Sequence, residues 1–174
     1  MSDGSARAAS VLREKQNDGL SAQPSSDTHV SQTLKYVISE HNAMPMVRAT
    51  RDSAGLDLRA CESVVIPKNE QALINTGIKV QIPIGYVGNI VGRSSLALSE
   101  LYTFNGTVDS DYRGCLKILI RNMSSKDVFI TIGDRIAQLV ICKIIYPRLF
   151  QVAELDVTER GEGGFGSSNM RIYF

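Results

Sequence analysis

The sequence has few of the residues on which common catalytic and metal sites depend. Only two histidines, His29 and His41, occur in the 174-residue chain. We therefore expect neither a Ser-His-Asp triad nor a histidine-rich metal site. Cys61, Cys115 and Cys142 are widely spaced and odd in number. They fit neither a disulfide framework nor a zinc site, and they predict buried free thiols in a reducing compartment.

Long apolar runs and a strong net charge are also missing. No run reaches the roughly 18 to 20 residues that a transmembrane helix needs, and no apolar stretch is typical of a secretory signal. The formal net charge is +1, so the chain as a whole has no field that would attract nucleic acid or an anionic membrane. We expect an intracellular protein, cytoplasmic or nuclear, that is not secreted and binds neither nucleic acid nor membrane.

Composition divides the chain into three parts. Residues 1–33 are rich in Ser, Ala, Asp and Gln and contain no aromatic residue. Such a segment cannot bury enough apolar surface to offset its ordering entropy, which predicts a disordered N-terminal tail. Residues 34–158 form the predicted β domain, and residues 159–174 form a glycine-rich C-terminal arm.

The predicted domain contains short runs rich in Val and Ile. Gly, Pro and Asn interrupt these runs about every ten residues, a spacing typical of an all-β sandwich or barrel rather than of alternating βαβ units. The segment 94–100, SSLALSE, is the exception and predicts one or two helical turns.

Five segments carry more polar residues and glycines than a β-sandwich requires. They are SAGLDLRA (53–60), GRSSLAL (92–98), NGTVDSDYRG (105–114), GDRIAQLVI (133–141) and RGEGGFGSSN (160–169). Taken alone, Asp57 can be a solvated strand residue, and a serine after Arg93 can be a helix N-cap. Asp109 and Asp111 can be the solubilising acids of a hairpin. Equally, Arg93 with hydroxyls at a helix start can bind an anion, and an acid beside Tyr112 can hold a water or a sugar.

The fifth segment contains a GxGxxG pattern formed by Gly161, Gly163 and Gly166. A dinucleotide-binding fold needs a strand before this pattern, a helix after it and an acid about 20 residues later. Only eight residues follow Gly166 in the sequence, too few for a βαβ unit. We therefore do not expect a dinucleotide-binding motif here, and the glycines allow the segment to act as a mobile hinge.

Taken together and in order, the five segments resemble the five motifs of homotrimeric dUTPases, over about residues 35–168. The resemblance implies a distorted jelly-roll β-barrel with a short helix and a mobile C-terminal arm. It implies a homotrimer with three shared active sites at subunit interfaces. It also implies Mg²⁺-dependent hydrolysis of dUTP to dUMP and pyrophosphate, which limits uracil incorporation into DNA and supplies dUMP for dTTP synthesis.

The resemblance also implies roles for individual residues. Asp109 matches the carboxylate that orients the attacking water, and Arg160 matches a catalytic arginine of the arm. Asp57 matches the acid that holds the metal through water. The substrate-binding positions are Arg93, Ser94, Ser95, Gly106, Thr107, Val108, Tyr112, Gln138, Phe165, Gly166 and Ser167.

Among these positions, Tyr112 is expected to pack under the deoxyribose and to leave no room for a ribose 2′-hydroxyl. A hairpin around residues 104–108 is expected to read uracil with its backbone groups. Phe165 can stack on the base. We expect the arm to be disordered without nucleotide and to close over the site when nucleotide binds.

Two alternatives remain open at this point. Ser95 stands where the second motif usually has glycine, and the chain has a long N-terminal tail. Both features suit a catalytically weak family member that binds nucleotide or regulates. A dCTP deaminase of the same superfamily would need a differently placed glutamate, and the motifs fit the dUTPase pattern better.

Overall fold

The computed structural model describes residues 33–164. The elements are β1 (Lys35–Ile38), β2 (Gly55–Arg59), β3 (Val64–Ile66), β4 (Gln71–Gln81), β5 (Tyr86–Val91), α1 (Ser94–Leu98), β6 (Leu101–Thr103), β7 (Gly106–Val108), β8 (Cys115–Asn122), β9 (Val128–Ile130) and β10 (Arg135–Lys143). The predicted all-β class with one short helix is confirmed. Residues 1–32 of the predicted tail and 165–174 of the predicted arm lie outside the described residues. In the described part, no helix has the length and apolar character needed to cross a membrane.

Two four-stranded antiparallel sheets make the body of the domain. The first has the strand order β1-β4-β8-β6, the second has the order β2-β10-β5-β7, and a separate ribbon pairs β3 with β9. Leu58 and Leu139 of the second sheet join Ile74 and Ile118 of the first in one buried cluster. Burial of these aliphatic side chains between the two sheets is the main stabilising contribution to the fold.

Strand β8 shows how the sequence builds this core. Leu116, Ile118 and Ile120 alternate with more exposed residues and are almost completely buried, as the two-residue period of a strand requires. Asn122 ends the strand and is fully buried. Its Nδ2 donates to the carbonyls of Ile66, Pro67 and Lys126, so it ties the end of β8 to the end of β3 and to the loop that precedes β9.

The hairpin predicted around residues 104–108 is wrong. Strand β6 pairs with β8 in the first sheet, whereas β7 pairs with β5 in the second. Phe104 and Asn105 therefore carry the chain from one sheet to the other. As a result, β7 is an edge strand of the second sheet and has a hydrogen-bonded neighbour on only one side.

The cysteines are free, as predicted, but only Cys61 is buried, and Cys115 and Cys142 are half-buried. Burial raises the pKa of the Cys61 thiol, and the nearby Glu62 carboxylate raises it further. A thiol with a raised pKa stays protonated and unreactive at neutral pH. Cys61 is therefore a packing residue.

Candidate active site

Asp57 on β2 is only 7% exposed and faces two arginines from different parts of the chain. Its Oδ1 lies 3.6 Å from Nε of Arg93, and its Oδ2 lies 3.2 Å from Nη1 of Arg135. Nη1 of Arg93 also donates to the backbone carbonyl of Arg135 at 3.2 Å. The interpretation of Asp57 as a solvated carboxylate is therefore wrong, because its charge is buried and compensated by two cations.

A β-bulge aims Arg135 at this carboxylate. The register of β10 against β2 shifts between Arg135 and Ala137, and Ile136 and Ala137 are both fully buried. Side chains alternate along a regular strand, so Arg135 and Gln138 would otherwise face opposite sides of the sheet. The extra residue of the bulge brings both onto one face beside Asp57. We call Asp57, Arg93, Arg135 and Gln138 the arginine cluster.

Gln138 occupies the centre of the second sheet. It pairs with Asp57 on β2 and with Val91 on β5, and its Nε2 donates to the carbonyl of Gly92 at 3.4 Å. A Cβ at Gly55 would overlap the Gln138 side chain. The glycine of the SAGLDL segment therefore makes space for the glutamine of the GDRIAQL segment.

The start of α1 lies beside the arginine cluster. Arg93 is the N-cap residue, and its side chain makes no capping hydrogen bond, so the predicted serine N-cap is wrong. Ser94 and Ser95 are the first helical residues, and both are exposed. In the described structure, neither hydroxyl hydrogen-bonds to the protein, which leaves both able to contact a ligand.

A cavity of about 250 Å³ opens between β7 and β8. The lining residues are Ile90, Gly106, Thr107, Val108, Asp109, Tyr112, Cys115, Leu116 and Lys117. We call this cavity the Asp109 pocket. It contains every residue of the third motif that the sequence singled out as catalytic or substrate-binding. It also contains Ile90, Cys115, Leu116 and Lys117, which lie outside the five motif segments and so carried no signal in the sequence.

Local contacts fix Tyr112 on the wall of the Asp109 pocket. Its backbone N–H donates to the carbonyl of Asp109, and its Oη donates to the carbonyl of Cys115, both at 3.2 Å. A Cβ at Gly114 would overlap the Tyr112 ring. Gly114 thus makes the observed ring position possible, a role that its place in the sequence did not reveal.

The remaining predicted site residues belong to the arm. Arg160 lies in the irregular segment that follows β10, is exposed, and donates from Nε to the carbonyl of Gly163 at 2.8 Å. Phe165, Gly166 and Ser167 lie outside the described residues. Within residues 33–164, no side-chain hydrogen bond or salt bridge connects Arg160 to either group of site residues.

The predicted site residues therefore fall into two groups within one chain. Asp57, Arg93 and Gln138 belong to the arginine cluster, whereas Asp109 and Tyr112 belong to the Asp109 pocket. None of the residues that line the pocket is a member of the cluster. Across the described ranges, no salt bridge or side-chain hydrogen bond joins the two groups.

The two packed antiparallel sheets place the chain among the all-β sandwich and barrel proteins. A sequence profile described as dUTPase matches residues 41–169. The deoxyuridine 5′-triphosphate nucleotidohydrolase of Debaryomyces hansenii is 44% identical over 140 residues, which cover 79% of this chain and 88% of that protein. The enzyme of the same name from Rattus norvegicus is 40% identical over 138 residues, 78% of this chain and 67% of that protein.

Solved structures give the same result. A mutant dUTPase of Staphylococcus bacteriophage 80alpha with dUpNHpp superposes with a TM-score of 0.77 at 34% identity and covers 80% of this chain and 100% of that one. A mutant dUTPase from phage phi11 of S. aureus, described with a structural Mg(II) ion, has a TM-score of 0.69 at 31% identity over 72% of this chain and 99% of that one. The chain belongs to the dUTPase family, and the predicted jelly-roll fold is confirmed.

Proposed function

We propose that this chain is a Mg²⁺-dependent dUTP nucleotidohydrolase that cleaves dUTP with water to give dUMP and pyrophosphate. The observation that carries the proposal is the Asp109 pocket, which both Asp109 and Tyr112 line, in a chain of the dUTPase family. Such a pocket offers a carboxylate for a water and an aromatic ring for a sugar in one place. The arginine cluster supplies the cations that a triphosphate needs.

Asp109 is the residue that orients and deprotonates the attacking water. Its carboxylate is exposed and has no salt-bridge partner among the described residues. Because no cation of the described part competes for it, the carboxylate can accept a proton from water held in the pocket. General-base catalysis of this kind contributes about 10² to 10⁴ in rate.

The edge of β7 reads the uracil base. Gly106 and Val108 pair with β5 on one side only, so alternate N–H and C=O groups on the other edge can pair with uracil as with another strand. Thr107 is the middle residue of this edge strand. The Tyr112 ring packs against the deoxyribose, where a ribose 2′-hydroxyl would be too close.

The arginine cluster and the start of α1 hold the phosphates. The Arg93 guanidinium donates to phosphate oxygens, Ser94 and Ser95 add their hydroxyls, and Gln138 adds its amide. Arg160, with Phe165, Gly166 and Ser167 of the arm, closes over the bound nucleotide. Closure excludes water and strengthens each of these polar contacts.

Mg²⁺ suits the acidic residues that the chain provides. No three His, Cys, Asp or Glu side chains converge into a dedicated metal cage among residues 33–164. Each Asp57 oxygen has one arginine partner and keeps a lone pair for a metal-bound water. Mg²⁺ commonly keeps several waters and binds substrate phosphates. When bound, it neutralises charge on the reacting phosphates.

We further propose that the active enzyme is a homotrimer in which each site uses several subunits. The two groups of site residues are separate within one chain, and an assembly can place the cluster of one subunit against the pocket of the next. The exposed apolar side chains of residues 145–157 support the same assembly. A solution mass of about 57 kDa, three times the 19.0-kDa chain, is expected by light scattering.

Pyrophosphate release from dUTP, dCTP, dTTP and UTP tests the activity directly. We expect rapid release from dUTP with Mg²⁺ and little release from the other three nucleotides. Ammonia release from dCTP would instead indicate a deaminase. Tight binding of dUpNHpp without hydrolysis of dUTP would indicate a nucleotide-binding or regulatory protein and would overturn the proposal.

Replacing Tyr112 by alanine should reduce discrimination against UTP. Without the ring, the 2′-hydroxyl has space, so the ratio of kcat/KM for dUTP to that for UTP should fall at least about tenfold. Tyr112→Phe retains the ring and should preserve the ratio. Gly114→Ala displaces the ring and should lower the ratio as Tyr112→Ala does. An unchanged ratio in Tyr112→Ala would contradict the assigned role.

Shared sites predict complementation between two inactive variants. Asp109→Asn damages only the pocket, and Arg93→Ala damages only the cluster. In trimers refolded from an equal mixture, about a quarter of the sites should combine an intact pocket with an intact cluster from its neighbour. Steady-state hydrolysis should recover to about that fraction of the wild-type rate. A mixture as inactive as its components would indicate that each site lies within one chain.

A further inference from the structure

Arg135 makes two contacts in the arginine cluster, although the sequence motifs give it no role. Its Nη1 lies 3.2 Å from Asp57 Oδ2, closer than the 3.6 Å that separates Arg93 Nε from Asp57 Oδ1. Its backbone carbonyl also accepts a hydrogen bond from Arg93 Nη1. Arg135 therefore touches both partners of the Asp57–Arg93 ion pair.

These contacts leave part of the Arg93 guanidinium available. Nε faces Asp57 and Nη1 faces the Arg135 carbonyl, while Nη2 has no protein acceptor in the described part of the chain. The Arg93 side chain is 24% exposed. A guanidinium held in this way presents a fixed donor to an anion and loses little conformational freedom when it binds.

Asp57 would compete for Arg93 if Arg135 were absent. A carboxylate that is 7% exposed is poorly solvated. Without Arg135, Arg93 would be the only cation left to neutralise the Asp57 charge. Arg93 would then be expected to form a closer, two-pronged contact with Asp57. That contact would use the donors and the charge that a phosphate needs.

We propose that Arg135 is a positioning residue that neutralises Asp57 and thereby keeps Arg93 available for the substrate's phosphates. The proposal rests on the proposed function, because it assigns Arg93 to phosphate binding. Arg135 acts through Asp57 and Arg93, and its own contact with substrate is not required. The β-bulge of β10 is the feature that makes this role possible, because it turns Arg135 towards Asp57.

The test measures binding of dUpNHpp in EDTA by isothermal titration calorimetry, so that metal does not contribute. Arg135→Gln should weaken binding about tenfold. Arg135→Lys keeps a cation beside Asp57 and should remain within about threefold of the wild type. Arg121→Gln, on exposed β8 surface, is the matched control and should bind as the wild type does.

The decisive variant is Arg135→Gln combined with Asp57→Asn. An uncharged residue 57 no longer draws Arg93 away, so binding should return to within about threefold of the wild type. If Arg135 contacts phosphate directly, or only stabilises the fold, the double variant will bind as weakly as Arg135→Gln or more weakly, and the proposal is overturned. Unweakened binding by Arg135→Gln would overturn it as well.

The failure of this proposal can be distinguished from failure of the proposed function. Hydrolysis of dUTP by the wild-type protein is measured separately and does not depend on any Arg135 variant. Inorganic tripolyphosphate in EDTA provides a second probe, which tests the cluster without uracil or deoxyribose. We expect the variants to rank in the same order of affinity for tripolyphosphate as for dUpNHpp. Equal tripolyphosphate affinities in the wild type and in the variants of residues 57 and 135 would contradict the role of Arg135.

Discussion

Replacement of Asp109 by asparagine is expected to lower kcat for dUTP hydrolysis by about 10² to 10⁴-fold, the range found when a general base is removed. Asparagine has nearly the same shape, so the Asp109 pocket keeps its form. The amide cannot accept the proton that the attacking water must lose. Single-turnover release of pyrophosphate measures this step independently of product release.

The matched control is Asp111→Asn, two residues further along the same exposed turn. It removes the same charge from the same segment but lies outside the pocket lining. Its kcat should stay within about threefold of the wild type. Affinity of Asp109→Asn for dUpNHpp should also stay close to that of the wild type. An Asp109→Asn protein that turns over dUTP normally would exclude this residue as the base.

Local sequence was enough to predict the strands of the sheets. Alternating or continuous runs of Val and Ile, interrupted by Gly, Pro and Asn, correspond to β4, β5, β8 and β10. Ser94–Leu98 forms the predicted short helix. These features depend on side-chain periodicity and turn chemistry within about ten residues, which a single sequence displays directly.

Features that depend on strand pairing could not be predicted in this way. The predicted hairpin failed because β7 pairs with β5 and not with β6. Arg135 was missed because a bulge, which depends on register against β2, turns it towards Asp57. The interpretation of Asp57 as a solvated strand residue failed for the same reason, because its two arginine partners are 36 and 78 residues away in the sequence.

Gly55 and Gly114 have a packing role that the sequence alone did not predict. Gly55 makes space for Gln138, which lies on another strand, and Gly114 makes space for the ring of Tyr112. The motifs contain these glycines, but sequence alone suggests only conformational freedom. Neither has the positive backbone φ that would require glycine in the described chain. Each position requires a residue without a Cβ, and this requirement is visible only in the packed structure.

The segment after β10 exposes apolar side chains that support the proposed trimer. Residues 144–164 contain neither a strand nor a helix, and Ile145, Leu149, Phe150, Leu155 and Val157 are strongly exposed. Leu149 is 96% and Val157 is 98% exposed. Several large apolar side chains that are exposed and close together in the sequence are typical of a surface that another chain covers.

Replacement of both Leu149 and Phe150 by serine is expected to dissociate the proposed trimer. Each buried Leu or Phe contributes about 1.5–3 kcal/mol, and a trimer contains three copies of each. The mass by light scattering should fall from about 57 kDa towards the 19.0 kDa of one chain. Pyrophosphate release at nanomolar protein should be lost, because pocket and cluster would no longer meet.

Gln151, which follows Phe150 in the chain, provides the matched control. Gln151→Ser changes a neighbouring exposed polar residue and should alter neither mass nor activity, because it removes no apolar contact. Association depends on concentration, so raising the double variant to micromolar concentrations should restore part of both mass and activity together. Because Leu149 and Phe150 are exposed within one chain, circular dichroism of the monomer should retain the β-sheet spectrum. Full activity from a 19.0-kDa species would show that one chain contains a complete site, and the two groups of residues would then have to meet without a partner.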